Sequence, residues 1–320
     1  MSTIKVNISH KSIIFTVLFF ILIYFLYKLR YLLLLLFIAI IFMSALSPLV
    51  DKLEKHKIPR ALATLFFYIL IIAVIGLGVA SLVPPLVEQS ARLVATFPQD
   101  ISQLTRGLIN TSVLQPHLQA LPEQILKIAL GALNNIIGLL TFLVILFYLI
   151  MERKNLKKYL LFLFGQNAKE EHAEIFISKL EHKLGGWVRG QLILMLIVGF
   201  MSYLGLTFLG VEYAIPLAFL AGLLEVIPTL GPILSAIPAV LVALGGSPVL
   251  ALATLALYIL IQQLENNLIV PKVMSKAVGL SPLIVILALM AGFKIAGIAG
   301  AVLSIPTVLL LEVIINARKL

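Results

Sequence analysis

The sequence predicts an all-α polytopic membrane protein, and three observations carry that prediction. Hydrophobic residues make up 61% of the 320 and charged residues only 12%, and the mean hydropathy of +1.13 lies far outside the range of soluble domains. Apolar runs long enough to cross a bilayer recur along the chain, separated by short loops in which Lys and Arg gather. Between Pro216 and Leu310 the same interrupted pattern occurs twice: an apolar half, a Gly/Pro break, a second apolar half. A net charge of +10 would suggest nucleic acid in a soluble protein, but here membrane topology accounts for it and no nucleic-acid partner is expected. The absence of cysteine excludes disulfides, Cys-ligated zinc and iron–sulfur clusters.

Residues 1–60 read as a transmembrane hairpin and a cytoplasmic loop. Apolar runs from Ser12 to Tyr27 and from Tyr31 to Val50 flank a turn expected at Lys28–Arg30. No small-residue cleavage site follows the first run, so the segment is expected to stay as an anchor. The loop from Asp51 to Arg60 holds Lys52, Lys55, Lys57 and Arg60 against two acids, which assigns it, and by parity the N-terminus, to the cytoplasm. Residues 61–151 contain a span from Ala61 to Val83, expected to stop at Pro84-Pro85, and a span from Ile128 to Met151. Between them, residues 84–127 form an extramembrane insert. Leu86, Leu93, Phe97, Ile101, Leu104 and Leu108 make one apolar stripe there, and Leu118, Leu121, Ile125 and Ile128 repeat it. Such a stripe suits either the membrane surface or a neighbouring subunit. Residues 152–189 form a cytoplasmic amphipathic segment, basic at Arg153, Lys154, Lys157 and Lys158, with Gly185-Gly186 near its end.

Residues 190–320 are expected to form a core of two spans, Gln191 to Leu209 and Val249 to Gln263, and two hairpins, 214–246 and 281–317. The first half of each hairpin is about 13 residues, or ~20 Å at ~1.5 Å per residue, against a hydrocarbon core of ~30 Å. A half-helix of that length re-enters rather than spans, and its broken backbone must be buried in protein or line a cavity. A span plus hairpin from one side, then a span plus hairpin from the other, is an inverted repeat, the arrangement of many transporters, with the breaks marking the binding site. It also leaves Lys272, Lys276, Arg318 and Lys319 inside. Full crossing by every half gives the same parity for the C-terminus, so charge alone does not choose between the two.

The runs Leu224-Glu225-Val226-Ile227-Pro228-Thr229-Leu230-Gly231-Pro232 and Gln262-Gln263-Leu264-Glu265-Asn266-Asn267-Leu268-Ile269-Val270-Pro271-Lys272, with Gly297-Ile298-Ala299-Gly300 and Ile305-Pro306, resemble the AI-2E transporter family of PerM-type permeases over nearly the whole chain. That resemblance implies a multi-pass protein of the bacterial inner membrane and a homopentamer. It implies a secondary transporter of a small polar solute or ion, autoinducer-2-like in some members and a sodium–proton antiporter in others, moving its cargo by an elevator-type mechanism. It further implies that Glu225, Pro228, Gly231 and Pro232 form the first hairpin tip, and that Gln262, Glu265, Asn266 and Pro271 form a second motif. Thr229 and Asn267 depart from the family pattern, in which an aromatic and a small residue are common.

An ionised carboxylate at mid-membrane costs at least ~2.5–3.5 kcal/mol, so intramembrane acids pair or face water. Glu265 is therefore either a gating or binding group or a helix-end carboxylate at the interface. Glu225, three residues before Pro228, either contacts substrate or ion or accepts hydrogen bonds from freed backbone. Lys294, Gly297 and Gly300 are assigned to the second tip. The five histidines show no metal-ligand spacing, and HExxH, GxSxG, a phosphate-binding loop and a paired intramembrane Asp motif are all missing. Neither cofactor nor enzyme activity is expected; a non-transporting membrane scaffold is the remaining alternative.

Overall fold

The computed structural model describes residues 10–104, 136–164, 170–227, 230–277 and 279–317, with Glu123, Lys127 and Gly131 as isolated positions. The second stripe of the insert, Asn134, Asn135, Pro228, Thr229, Arg318 and Lys319 lie outside the described residues. The described elements are helical: α1 His10–Lys55, α2 Arg60–Leu104, α3 Ile136–Glu152, a 3-10 turn Arg153–Asn155, α4 Leu156–Phe164, α5 Glu170–Leu209, α6 Ala214–Leu224, α7 Leu230–Gly246, α8 Pro248–Leu264, a π turn Glu265–Ile269, α9 Val270–Ala277 and α10 Pro282–Ala317. Among the described residues six helical stretches are long and apolar enough to cross a membrane, two of them running on through the 3-10 and π turns. Their outer faces expose large apolar side chains such as Ile137, Leu196 and Phe208, as a lipid-facing surface requires. The protein is a polytopic membrane protein whose described elements are all helical.

Two breaks expected from the sequence are absent. The anticipated turn at Lys28–Arg30 does not occur, and α1 runs unbroken for 46 residues, about 69 Å at 1.5 Å per residue. Both residues are good helix formers, and their charges settle over aromatic rings one turn back, Lys28 over Tyr24 at 5.6 Å and Arg30 over Tyr27 at 4.1 Å. Charge marked a loop where no turn chemistry existed, and the two-span parity that placed the N-terminus loses a crossing. Likewise α2 continues through Pro84-Pro85 to Leu104. Proline's fixed φ is helical, so the loss falls on the carbonyls of Ala80 and Ser81 a turn earlier. The amphipathic segment and the fifth span, expected to meet at residues 189 and 190, are one 40-residue helix, α5. A side chain on Gly185 would collide with the Ser44 carbonyl of α1, so this glycine serves close packing.

The fold is arranged around α5, which packs against α1, α4, α6, α8, α9 and α10. One core joins α5 to α6, α7 and α8 through Val198, Leu206, Leu217, Ala221, Val242 and Ile261. A second joins α1, α2 and α3 through Met43, Val50, Tyr68 and Ile150. A third joins α1, α5 and α10 through Ile41, Leu184, Trp187 and Leu309. At one end of the bundle, charges tie these groups together. Arg153 binds Glu181 through both carboxylate oxygens and Asp51 at 2.6 Å, while Arg60 binds Asp51 at 2.6 Å and Glu54 at 2.9 Å. Lys183 meets Glu312 of α10 at 3.0 Å.

Both interrupted segments reverse direction. α6 and α7 are separate helices that pack on one another. α10 is broken at Ala296 and Gly297, where Gly297 takes φ +60°, a backbone region that favours glycine. Gly292 and Gly300 then lie so close that a side chain on either would strike the other's carbonyl, which requires the chain to double back. The two reversals begin at different ends of α5. Tyr213, at the mouth of the first, donates to Glu88 at 3.4 Å just past the C-terminus of α5, whereas Glu312, at the mouth of the second, holds Lys183 in its first half.

Candidate functional site: a buried carboxyl pair

Helix α6 ends at Leu224 because the chain ahead reaches Pro228 and then Gly231-Pro232. The backbone tightens as it leaves: Glu225 N–H bonds the Ala221 carbonyl at 3.2 Å, Ile227 N–H bonds Leu224 at 3.1 Å, and Gly231 N–H bonds Ile227 at 3.0 Å. Helix α7 restarts with Pro232 in its first turn, where a missing N–H costs nothing. The turn is tight enough that a β-carbon on Gly231 would lie 2.6 Å from Glu225 Cα and 2.7 Å from the Leu224 carbonyl oxygen.

This geometry drives Glu225 inward, where its side chain is fully buried. Its backbone carbonyl accepts a hydrogen bond from Gln191 Nε2 at the start of the apolar part of α5. Its carboxyl comes within hydrogen-bonding reach of Glu265, also fully buried, at the point where α8 passes into the π turn. A π turn rotates the following residues relative to an α-helix and recurs at functional sites. Here it turns Glu265 inward while Asn266 and Asn267 stay exposed.

Around the pair lie polar atoms that the fold buries without satisfying: both side-chain polar atoms of Gln262 and the carbonyl oxygen of Gln191. About two helical turns along α8, some 10 Å at 1.5 Å per residue, the Tyr258 hydroxyl lies beside those of Ser202 on α5 and Ser235 on α7. Among the described residues the Tyr258 and Ser202 hydroxyls complete no hydrogen bond. Buried polar groups are normally bonded, and exceptions point to ligands, ions or water. The arrangement forms a polar thread through an apolar core, with two acids at one end and three hydroxyls at the other.

The structure thus brings together Glu225, Gly231, Pro232, Gln262 and Glu265. Asn266 and Pro271 are exposed on the outer side of the π turn, and Pro228 is outside the described residues. Lys294, Gly297 and Gly300 belong to the reversal in α10, where Lys294 is exposed and Gly300 borders an apolar cavity of about 410 Å³ facing Leu34 and Phe37 of α1. The first tip meets α5 and α8, while the second faces α1. Sequence reasoning missed Gln191, Ser202, Ser235 and Tyr258. For Tyr258 a signal existed: it stands four and seven residues before Gln262 and Glu265, one helix face.

The AI-2E family transporter model matches residues 13–319. The chain belongs to the AI-2E transporter family. Among its relatives, YueF of Bacillus subtilis is 31% identical over 285 residues, 81% of this chain and 77% of YueF. YrrI of the same organism is 27% identical over 300 residues, 87% and 84% of the two chains; both bear names that describe transport proteins. A protein of Halobacillus andaensis named a sodium-lithium/proton antiporter is 23% identical over 298 residues, 84% of each chain. This AI-2E family member is therefore a multi-pass membrane protein of a transporter family, with a buried acidic site at the junction of α5, α8 and the α6–α7 turn.

Proposed function

We propose that the protein is a secondary transporter of a small polar solute or ion in the bacterial inner membrane, with the Glu225–Glu265 pair as its coupling site. The observation that carries this reading is the meeting of two carboxyls in fully buried surroundings. Two negative charges so placed repel strongly in a low dielectric, and the pair is at ease only with a shared proton or a bound cation between its oxygens. A group that must hold a proton or a cation is what ion-coupled transport needs. The polar thread to Tyr258 supplies further oxygens along a route through the bundle.

Alternating access follows from re-entry of the two reversals from opposite membrane faces, the first gating the acidic site and the second, through Lys294, Gly297 and Gly300, moving against α1. The opposite placement of their mouths along α5 supports this inverted arrangement, as does the short first half of each. An elevator-like displacement of the α5–α8 core past α1–α3 is consistent with the separate apolar cores of the two groups. A second reading, in which the cation is itself the cargo in exchange for protons, is favoured by the name of the Halobacillus relative.

Reconstituted proteoliposomes with an internal pH dye separate the readings. Proton movement driven by a sodium or lithium gradient alone supports antiport. Movement that requires a polar solute, an autoinducer-2-like sugar included, supports coupled solute transport. No flux with any member of the panel sinks both and leaves a scaffold. For topology, Ser247→Cys and Ser281→Cys in this cysteine-free chain should label with an impermeant maleimide from opposite faces; labelling from one face rejects the inverted arrangement.

A further inference from the structure

Below the acidic site, a second cleft of about 380 Å³ opens between α5 and α9, lined by His182, Arg189, Lys272, Ile193 and two glycines, Gly186 and Gly190. It shares no residue with the carboxyl pair or the hydroxyl cluster. His182, Arg189 and Lys272 are all exposed, and among the described residues none of the three forms an ion pair or side-chain hydrogen bond. This contrasts with Arg60, Arg153 and Lys183 nearby, which hold carboxylates. The glycines leave the cleft floor without side chains, and two cations of different geometry, a guanidinium fork and a point-charge ammonium, line the space. That combination suits the oxygens of a phosphate group.

The face of α5 above the cations identifies what carries the phosphate. Arg189, Ile193, Leu196 and Phe200 follow at spacings of four, three and four, one helix face, and all four are exposed. Charge at the base gives way to a continuous apolar track in the direction of the bundle. A soluble phosphate compound would leave that track unused, whereas a phospholipid uses both parts. We propose that the α5–α9 cleft is a site for an anionic phospholipid, its phosphate held by Arg189 and Lys272 with His182 at the rim, and its acyl chain laid along Ile193, Leu196 and Phe200. Basic pockets between membrane helices on the cytoplasmic side are suited to such headgroups. The bound lipid would bridge α9, which follows the π turn directly, to α5.

The test uses the full chain purified in detergent and titrated with radiolabelled phosphatidylglycerol or phosphatidylcholine in mixed micelles, scoring lipid retained per chain. Wild type should retain phosphatidylglycerol in preference to phosphatidylcholine. The Arg189→Gln/Lys272→Gln variant should lose roughly 25-fold in affinity, about fivefold per cation removed. Arg189→Lys/Lys272→Arg should restore binding, which guards against a folding defect in the neutralised variant. Lys157→Gln/Lys158→Gln, the same charge loss elsewhere, should bind as wild type. Equal losses in both neutralised variants would reduce the effect to diffuse surface charge and overturn the site. Saturation by inorganic phosphate with no preference between the two lipids would overturn the lipid assignment in favour of a soluble anion.

Discussion

Two regions of this protein bury carboxylates and treat them in opposite ways. In the charged layer at the ends of α1, α2, α3 and α5, Glu181 lends both oxygens to Arg153, and Asp51 is shared by Arg60 and Arg153. Each negative charge there meets a guanidinium, so the cost of burial is offset locally and the helices are tied together. At the α6–α7 turn, Glu225 and Glu265 are buried more completely yet face one another. The first arrangement is complete as it stands, while the second, in the proposed reading, is balanced by a proton or cation that arrives and leaves. The same residue type ties helices together where its partner is a fixed guanidinium, and is proposed to couple transport where its neighbour is another carboxyl.

The contrast can be broken first in the charged layer, where the largest effect on stability is expected. Arg153→Ala strands Glu181 and frees half of Asp51, and should lower stability by about 3 kcal/mol, toward the low end for a broken buried pair because the layer is partly exposed. Thermal unfolding in detergent reads this directly; an unchanged midpoint would mean the layer is ornamental. Next comes Gly231→Ala, whose β-carbon meets backbone rather than a movable side chain. It should cost about 1–3 kcal/mol through forced displacement of the turn and reduce flux by more than its stability loss explains. Equal flux per folded molecule would remove the turn from the transport cycle. Smallest is Tyr258→Phe, which removes a hydroxyl that satisfies no hydrogen bond. Stability should change by less than about 1 kcal/mol, while flux falls a few-fold if the polar thread conducts; wild-type flux would confine the site to the carboxyl end.

What the sequence disclosed follows from the range of the interactions concerned. The apolar runs, the two reversals and the polar cluster Gln262–Asn267 are local signals, and each corresponds to a feature of the fold. Gly231 and Pro232 mark the first turn because a close backbone approach and a missing N–H leave few alternatives. The turn at Lys28–Arg30 failed because a charged pair resembles a loop, and its resolution over Tyr24 and Tyr27 depends on neighbours along the helix. The role of Gly185 is hidden for a related reason: that it admits a neighbouring backbone depends on Ser44, 141 positions earlier. The pairing of Glu225 with Glu265 is likewise long-range. Each carboxylate could be singled out by its cost in an apolar run, but that they share one site depends on the packing of α6 and α8 around α5. Gln191 and Ser202 gave no comparable signal, since single small polar groups in a long helix are common.

The most direct measurement compares two properties of one preparation of Glu265→Gln: the thermal unfolding midpoint and the ion-coupled flux in proteoliposomes. The carboxamide keeps the shape of the side chain and removes the repulsion with Glu225. The expected result is a midpoint equal to or above that of wild type together with flux reduced by at least about tenfold, the scale of one lost charge-assisted contact of ~1.5–3 kcal/mol. Wild-type flux, or a flux loss matched by a comparable loss of stability, would contradict the assignment and place the pair with the fixed carboxylates of the charged layer.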